Sequence, residues 1–305
     1  MPSATPSVTP SATPTPDPFA GLTIADLRAR SYGGGAFEVV ESLGQGPEFA
    51  RALIRYESDG LWIHGFMNVP RGPGPFPVAI VLHGYIDPAV YTTLAYTTRY
   101  ADALARAGYL VIHPNLRGYP PSDSGPNAFR IGMAIDVLNL IALVRAGEGP
   151  LAQADGERIG LMGHSMGGGI TWRAIAVTEA VDGAVLYGSM SADERQNAAQ
   201  RMEWSGGRSG REEAEVAELD MRRLSPSTYL AEIGTPISLH HSDADATVPP
   251  EWSAQAYEQL VALGKDVEYY RYQNTPHTFR GEQDAAFIAR MVAFFDRHVK
   301  ASPGE

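Results

Sequence analysis

The chain has no cysteine, which excludes disulfides, thiolate-bound zinc, iron–sulfur clusters and a cysteine nucleophile together. Basic residues are scarce: 24 Lys and Arg face 35 Asp and Glu, for a formal charge of -11. That balance repels phosphate backbones, and no Lys/Arg cluster offsets it locally, so nucleic acid is not an expected partner. Apolar runs are short, Val78 to Leu82 among the longest, whereas a helix needs about 20 apolar residues to span a bilayer. No transmembrane segment is expected. No Walker loop is present, and no Gly-x-Gly-x-x-Gly turn follows a strand. Gly33-Gly34-Gly35 precedes a strand rather than a helix, so it reads as a turn and not a phosphate cradle.

What is present is enough for a folded body: 305 residues, 44% hydrophobic and 19% charged. Residues 1–18, MPSATPSVTPSATPTPDP, alternate Pro with Ser and Thr and have almost nothing to bury, so they read as a disordered, extended linker or stalk. Stalks of this composition tether exported domains, which makes an extracellular or surface-tethered location the expectation. Cytoplasmic residence is the alternative, because the segment lacks the charged start and apolar core of a signal peptide.

Residues 19–305 read as one α/β domain. Strand-like segments at Phe37 to Ser42, Glu48 to Ser58 and Leu61 to Val69 form an antiparallel start, closed by the Gly/Pro-rich turn Arg71 to Pro77. Apolar strands then alternate with helical patterns: Val78 to Leu82, Thr98 to Ala107, Tyr109 to His113, Arg130 to Arg145, Arg158 to Met162, Met166 to Val177 and Gly183 to Tyr187. The alternation continues with Pro236 to His241, Glu251 to Leu263, Val267 to Tyr272 and a last helix from Asp284 to Val299. Such alternation predicts a doubly wound, mostly parallel sheet with helices on both faces. Residues 191–223, rich in Glu, Arg and Ala, interrupt it and read as an inserted helical lid.

Gly163-His164-Ser165-Met166-Gly167 matches Gly-x-Ser-x-Gly between a predicted strand and a predicted helix, the setting of a nucleophile elbow. A serine hydroxyl needs a base to take its proton and a carboxylate to hold that base, in the chain order Ser, acid, His. Of the eight histidines, four follow Ser165. His240 and His241 end a strand and His298 lies in the last helix, which leaves His277 as the base. The acid lies in the loop after the strand Pro236 to His241, where Asp243 and Asp245 are both available. The backbone amides of Tyr85 and Met166 are the candidate oxyanion donors. His83 reads as a brace for the Tyr85 loop. Among loop aromatics, Tyr85, Trp204 and Phe279 are candidate substrate contacts, with Tyr91 and Tyr96 also able to line a pocket. A metal site at His240, His241, Asp243 and Asp245 is disfavoured, because adjacent strand residues face opposite sides. No cofactor or metal is expected.

Asp59-Gly60-Leu61, Leu82-His83-Gly84-Tyr85, Asn115-Leu116-Arg117-Gly118-Tyr119, Gly163 to Gly168, Ser225-Pro226, Asp245-Ala246-Thr247-Val248-Pro249 and His277 carry a resemblance. Over residues 48–300 the chain resembles the α/β-hydrolase superfamily, in its prolyl-oligopeptidase-like and dienelactone-hydrolase-like branch. The resemblance favours Asp245 over Asp243 as the acid. It also touches bacterial cutinases, although those commonly carry a disulfide. Peptidases of the branch usually carry a large N-terminal β-propeller, and fewer than sixty residues precede the hydrolase body here. A carboxylic ester hydrolase acting on small-molecule esters is therefore expected, with a serine peptidase on small peptides or aminoacyl amides as the alternative. A catalytically silent binding protein on the same fold is the alternative of another class. The oligomeric state is not legible.

Overall fold

A computed structural model describes residues 16–301 of the protein, so most of the predicted stalk lies outside the described residues. Asp17 does not hang free: its carboxylate takes the guanidinium of Arg223 and the amide of Phe19. After a short helix α1 (Ile24–Ala29) come strands β1 (Phe37–Gln45), β2 (Phe49–Ser58) and β3 (Leu61–Pro70). Then follow β4 (Phe76–Leu82), α2 (Thr98–Arg106), β5 (Leu110–Pro114), α3 (Ile131–Ala146), β6 (Ala154–His164), α4 (Met166–Val177) and β7 (Gly183–Tyr187). Helices α5 (Glu194–Trp204), α6 (Arg211–Ala214) and α7 (Glu218–Leu224) precede β8 (Ile237–Ser242), α8 (Pro250–Ala262), β9 (Val267–Tyr272) and α9 (Gly281–Phe295).

The strands form one nine-stranded sheet in the order β1-β2-β3-β5-β4-β6-β7-β8-β9. β1, β2 and β3 pair antiparallel, β3 meets β5 antiparallel, and every pairing from β5 to β9 is parallel. The doubly wound sheet with an antiparallel start is thus present. Its central parallel strands, β4, β5, β7, β8 and the second half of β6, are buried on both faces, whereas β1 is largely exposed. In β4, Val78, Ile80 and Leu82 join a core with α3, α4 and α8, whereas Ala79 and Val81 join one with α2 and α9. Covering both faces is what a parallel sheet demands, and it explains the unbroken apolar runs of these strands. Strand order reverses around β4, with β5 on one side and β6 on the other, so a crevice opens at their carboxyl ends.

The structure departs from the pattern reading at the start of one strand and in a helix the pattern does not mark. β6 begins at Ala154, pairing with Phe76 before a register shift at Val78 lets the expected core of the strand align. Helix α1 has too few apolar residues to announce itself by periodicity; Thr23 and Asp26 cap it reciprocally. The helices α5 to α7 sit on a buried charge network. Arg173 of α4 lies 2.5 Å from Glu194 of α5, Arg130 before α3 pairs with the same carboxylate, and Arg201 lies 2.6 Å from Glu213. No helix of the described residues is long and apolar enough to cross a membrane.

Candidate active site

Ser165 stands between β6 and α4 with φ 54° and ψ -114°, a left-handed conformation that side chains other than glycine rarely adopt. The turn survives because the surroundings overdetermine it. The Ser165 amide donates to Tyr187 O (2.9 Å), and its carbonyl accepts from Gly168, Gly169 and Met190. Gly167 touches the end of β4 so closely that a Cβ there would lie 2.5 Å from Leu82 O. Two sharp constraints, a strained serine and a required glycine, are what the Gly-x-Ser-x-Gly spacing encodes.

The loop after β4 comes up against this elbow. A Cβ on Gly84 would lie 3.1 Å from Ser165 Cβ and 3.0 Å from His164 Nδ1. A side chain there would make its neighbours give by a few tenths of an ångström, so glycine lets the loop that carries Tyr85 close on the elbow. His83 is buried beneath it, its ring nitrogens 2.7 Å from Gly84 O and 2.8 Å from Asn115 O, in keeping with a brace. Met166 opens α4, so its amide has no intrahelical acceptor and lies at the positive end of the helix dipole.

The structure separates the two aspartates. Asp245 Oδ2 lies 2.6 Å from His277 Nδ1, and Oδ1 accepts from the amides of Thr247 (2.8 Å) and Val248 (2.9 Å). Burial opposes the charge on Asp245, but hydrogen bonds from His241 and His277 and the backbone outweigh it and hold the carboxyl well below the usual range. An acceptor at Nδ1 keeps the His277 proton there and leaves Nε2 free to accept one. Asp243 points elsewhere: it is exposed and takes the amide of Asn274 (3.1 Å), bracing the β9–α9 loop that carries His277.

His277 reaches the elbow through His164, the residue before Ser165. Their rings lie 4.6 Å apart, and His164 Nε2 donates to His277 O (3.3 Å), which makes its Nδ1 the acceptor for the Tyr96 hydroxyl. Burial, with His277 beside it, keeps His164 neutral by pushing its pKa well below the ordinary value. Among the described residues no hydrogen bond joins Ser165 Oγ to His277, an alignment that serine enzymes often complete only with substrate bound. His164, Tyr96 and His241 take part in ways the sequence pattern does not indicate: it marks His164 only as a variable position of the elbow motif, Tyr96 only as a pocket-lining aromatic and His241 only as a strand-end histidine. Each is an ordinary core or loop residue by spacing, and only the fold brings it to the serine or the aspartate.

The candidate substrate contacts part company. Tyr85 is 71% exposed beside the elbow, and Trp204 is 44% exposed, its indole N–H donating to Thr247 O (3.2 Å) in the Asp245 loop. Phe279 is a correction: it is 1% exposed, packed against Tyr187, Tyr272 and Phe287, and its amide donates to the Tyr187 hydroxyl. It is core and offers substrate no face. Tyr91 is buried against His83 and Tyr119. His240 and His241 face different partners, Tyr272 and Ser238 for the first, Ser253 and Asp245 for the second.

A sequence model described as the prolyl oligopeptidase family matches residues 135–302, a stretch that contains Ser165, Asp245 and His277. An uncharacterized peptidase of Bacillus subtilis, YuxL, is 25% identical over 264 residues, which is 81% of this chain and 39% of that protein. The solved acylaminoacyl peptidase of Pyrococcus horikoshii matches with a TM-score of 0.70 at 24% identity, over 85% of this chain and 43% of its own. Acetyl xylan esterase 1 of a Thermoanaerobacterium species matches with a TM-score of 0.65 at 16% identity, over 89% of this chain and 90% of its own. The fold is that of the α/β hydrolases, and the chain spans less than half the length of each of these two peptidases.

Proposed function

The chain belongs to the prolyl oligopeptidase family, serine hydrolases that include peptidases and esterases, and on that footing we propose that it hydrolyses carboxylic esters through an acyl-enzyme on Ser165. One observation carries the proposal: a serine in a strained, left-handed turn directly follows His164, whose ring lies 4.6 Å from that of His277, and His277 Nδ1 is held 2.6 Å from a charged, buried carboxylate. In this reading Ser165 Oγ attacks the acyl carbon while His277 Nε2 takes its proton. The amides of Tyr85 and Met166 receive the oxyanion. His277 returns the proton to the departing alcohol, and water, activated by the same ring, releases the acid. Asp245 stabilises the imidazolium formed in between.

The aromatic, exposed Tyr85 and Trp204 favour an apolar acyl or aryl group over a peptide's charged amine, which would call for carboxylates in their place. A second reading, cleavage of peptides or aminoacyl amides, draws support from the likeness to YuxL and the acylaminoacyl peptidase. Turnover of p-nitrophenyl esters of rising chain length, measured beside aminoacyl-p-nitroanilides, separates the two. Esters are expected to be hydrolysed and anilides not; faster anilide hydrolysis makes the protein a peptidase. Ser165→Ala is expected to lower kcat by on the order of 10⁴-fold or more while remaining folded. Asp245→Asn should come close to it, and Asp243→Asn should leave kcat nearly untouched.

A further inference from the structure

Two histidines, not one, meet the Asp245 carboxylate. Oδ2 takes His277 Nδ1 at 2.6 Å and His241 Nε2 at 3.1 Å, while Oδ1 is saturated by the amides of Thr247 and Val248. His241 is fully buried near the end of β8, and its Nδ1 lies 2.7 Å from Ser253 Oγ on α8. The proton positions follow from the acceptors. Carboxylate Oδ2 and Val248 O, 3.2 Å away, both accept only, so the ring must carry its proton on Nε2. Nδ1 of the neutral ring is then an acceptor, and the Ser253 hydroxyl donates into it. A directed chain results: Ser253 to His241, whose Nε2–H is shared between Val248 O and Oδ2 of Asp245, with His277 meeting the same oxygen from the other side.

We propose that His241 is a positioning residue for the reaction: with its tautomer set by Ser253, its Nε2–H fixes Oδ2 of Asp245 opposite His277 Nδ1. This rests on the triad reading above. With Oδ1 pinned by the backbone, Oδ2 needs a second anchor to resist rotation about the carboxylate's own bond while His277 turns toward Ser165 and back. A residue that only filled space would not need a donor at that place.

The test uses the full chain and two rates: labelling of Ser165 by a fluorophosphonate, which reads nucleophile activation directly, and kcat on p-nitrophenyl acetate. His241→Leu, which keeps bulk and removes the donor, is expected to slow both by on the order of 10- to 100-fold, as befits a lost hydrogen bond to a charged group, with KM little changed. His241→Gln, whose amide N–H can reach Oδ2, should restore both rates most of the way. Folded His241→Leu with wild-type rates, or His241→Gln as slow as His241→Leu, overturns the proposal. If His241→Leu does not fold, Ser253→Ala against Ser253→Thr decides it. Slowing by the first alone supports the chain, and equal rates overturn it. Wild-type protein that takes no label at Ser165 overturns the triad reading itself, a result distinct from labelled protein indifferent to His241.

Discussion

Helix α4, which carries the elbow, and helix α5, which begins the insertion, are similar in length and are held in place by different physics. In α4 eleven of twelve residues are buried; in α5 three of eleven are, and two of those three are Glu194 and Asn197. The first helix is seated by fit, down to Gly167 backing onto β4. The second is seated by charge, through Glu194 to Arg173 and Arg130. Fit tolerates no added atom. Charge pairing tolerates a varied outer surface but no loss of a partner, because the remaining ion is left uncompensated out of water.

The sharpest way to break the contrast is Gly167→Ala. Its Cβ would meet backbone carbonyls on the end of β4 and in the following loop, Leu82 O at 2.5 Å and His83 O at 2.8 Å, which cannot rotate away. We expect a loss on the order of 5 kcal/mol, among the exceptional single-site costs, seen as little folded protein in chemical denaturation. Glu194→Ala should cost roughly 3–5 kcal/mol in the same measurement, since it strands two buried guanidinium groups. Replacing the network by apolar residues of similar volume should recover much of that loss. Protein from Glu194→Ala that is as stable as wild type would show that the insertion is seated by something other than charge.

Acid sharpens the contrast more gently. The Asp245 carboxyl is held below its ordinary value, so the stability it contributes is complete above about pH 4 and is lost as pH falls further toward its folded value. Asp245→Asn should therefore lower the melting temperature across the neutral region, where that contribution is complete, and its curve should converge on the wild type's as pH falls through the acid limb. Smallest of all, Trp204→Ala removes one indole bond to Thr247 and an exposed ring, about 1 kcal/mol at most. It is expected to change the ratio of rates on long and short acyl esters rather than the rate on acetyl. Equal losses on both would assign Trp204 to the scaffold.

The elbow was legible in the sequence because its constraints are steric and local: glycine at 163 and 167 and a strand before the serine leave few other readings. His277 was legible by elimination, being the only downstream histidine in a loop. Asp245 was not separable from Asp243 by position, since the two share a loop; what separates them is side-chain direction, one turned inward to His277 and the other outward to Asn274. Phe279 shows the limit on the other side. A phenylalanine two residues past the histidine can face the cleft or the core, and the choice is made by Tyr187, Tyr272 and Phe287, which are distant in sequence. Alternation rightly sends His240 and His241 to opposite faces, yet it is silent on what waits at each.

The carbonyl of Ser165 accepts three amides: Gly168 at 3.0 Å, Gly169 at 3.3 Å and Met190 at 3.0 Å. The first two belong to the elbow's own helix, but Met190 belongs to the segment from which the inserted helices leave β7. The peptide group of the nucleophile is thus a shared fastening. A displacement at the root of the insertion pulls on the same oxygen that holds the serine in its turn, and the protection of the Met190 amide against hydrogen exchange becomes a gauge of how firmly the two parts of the protein are joined.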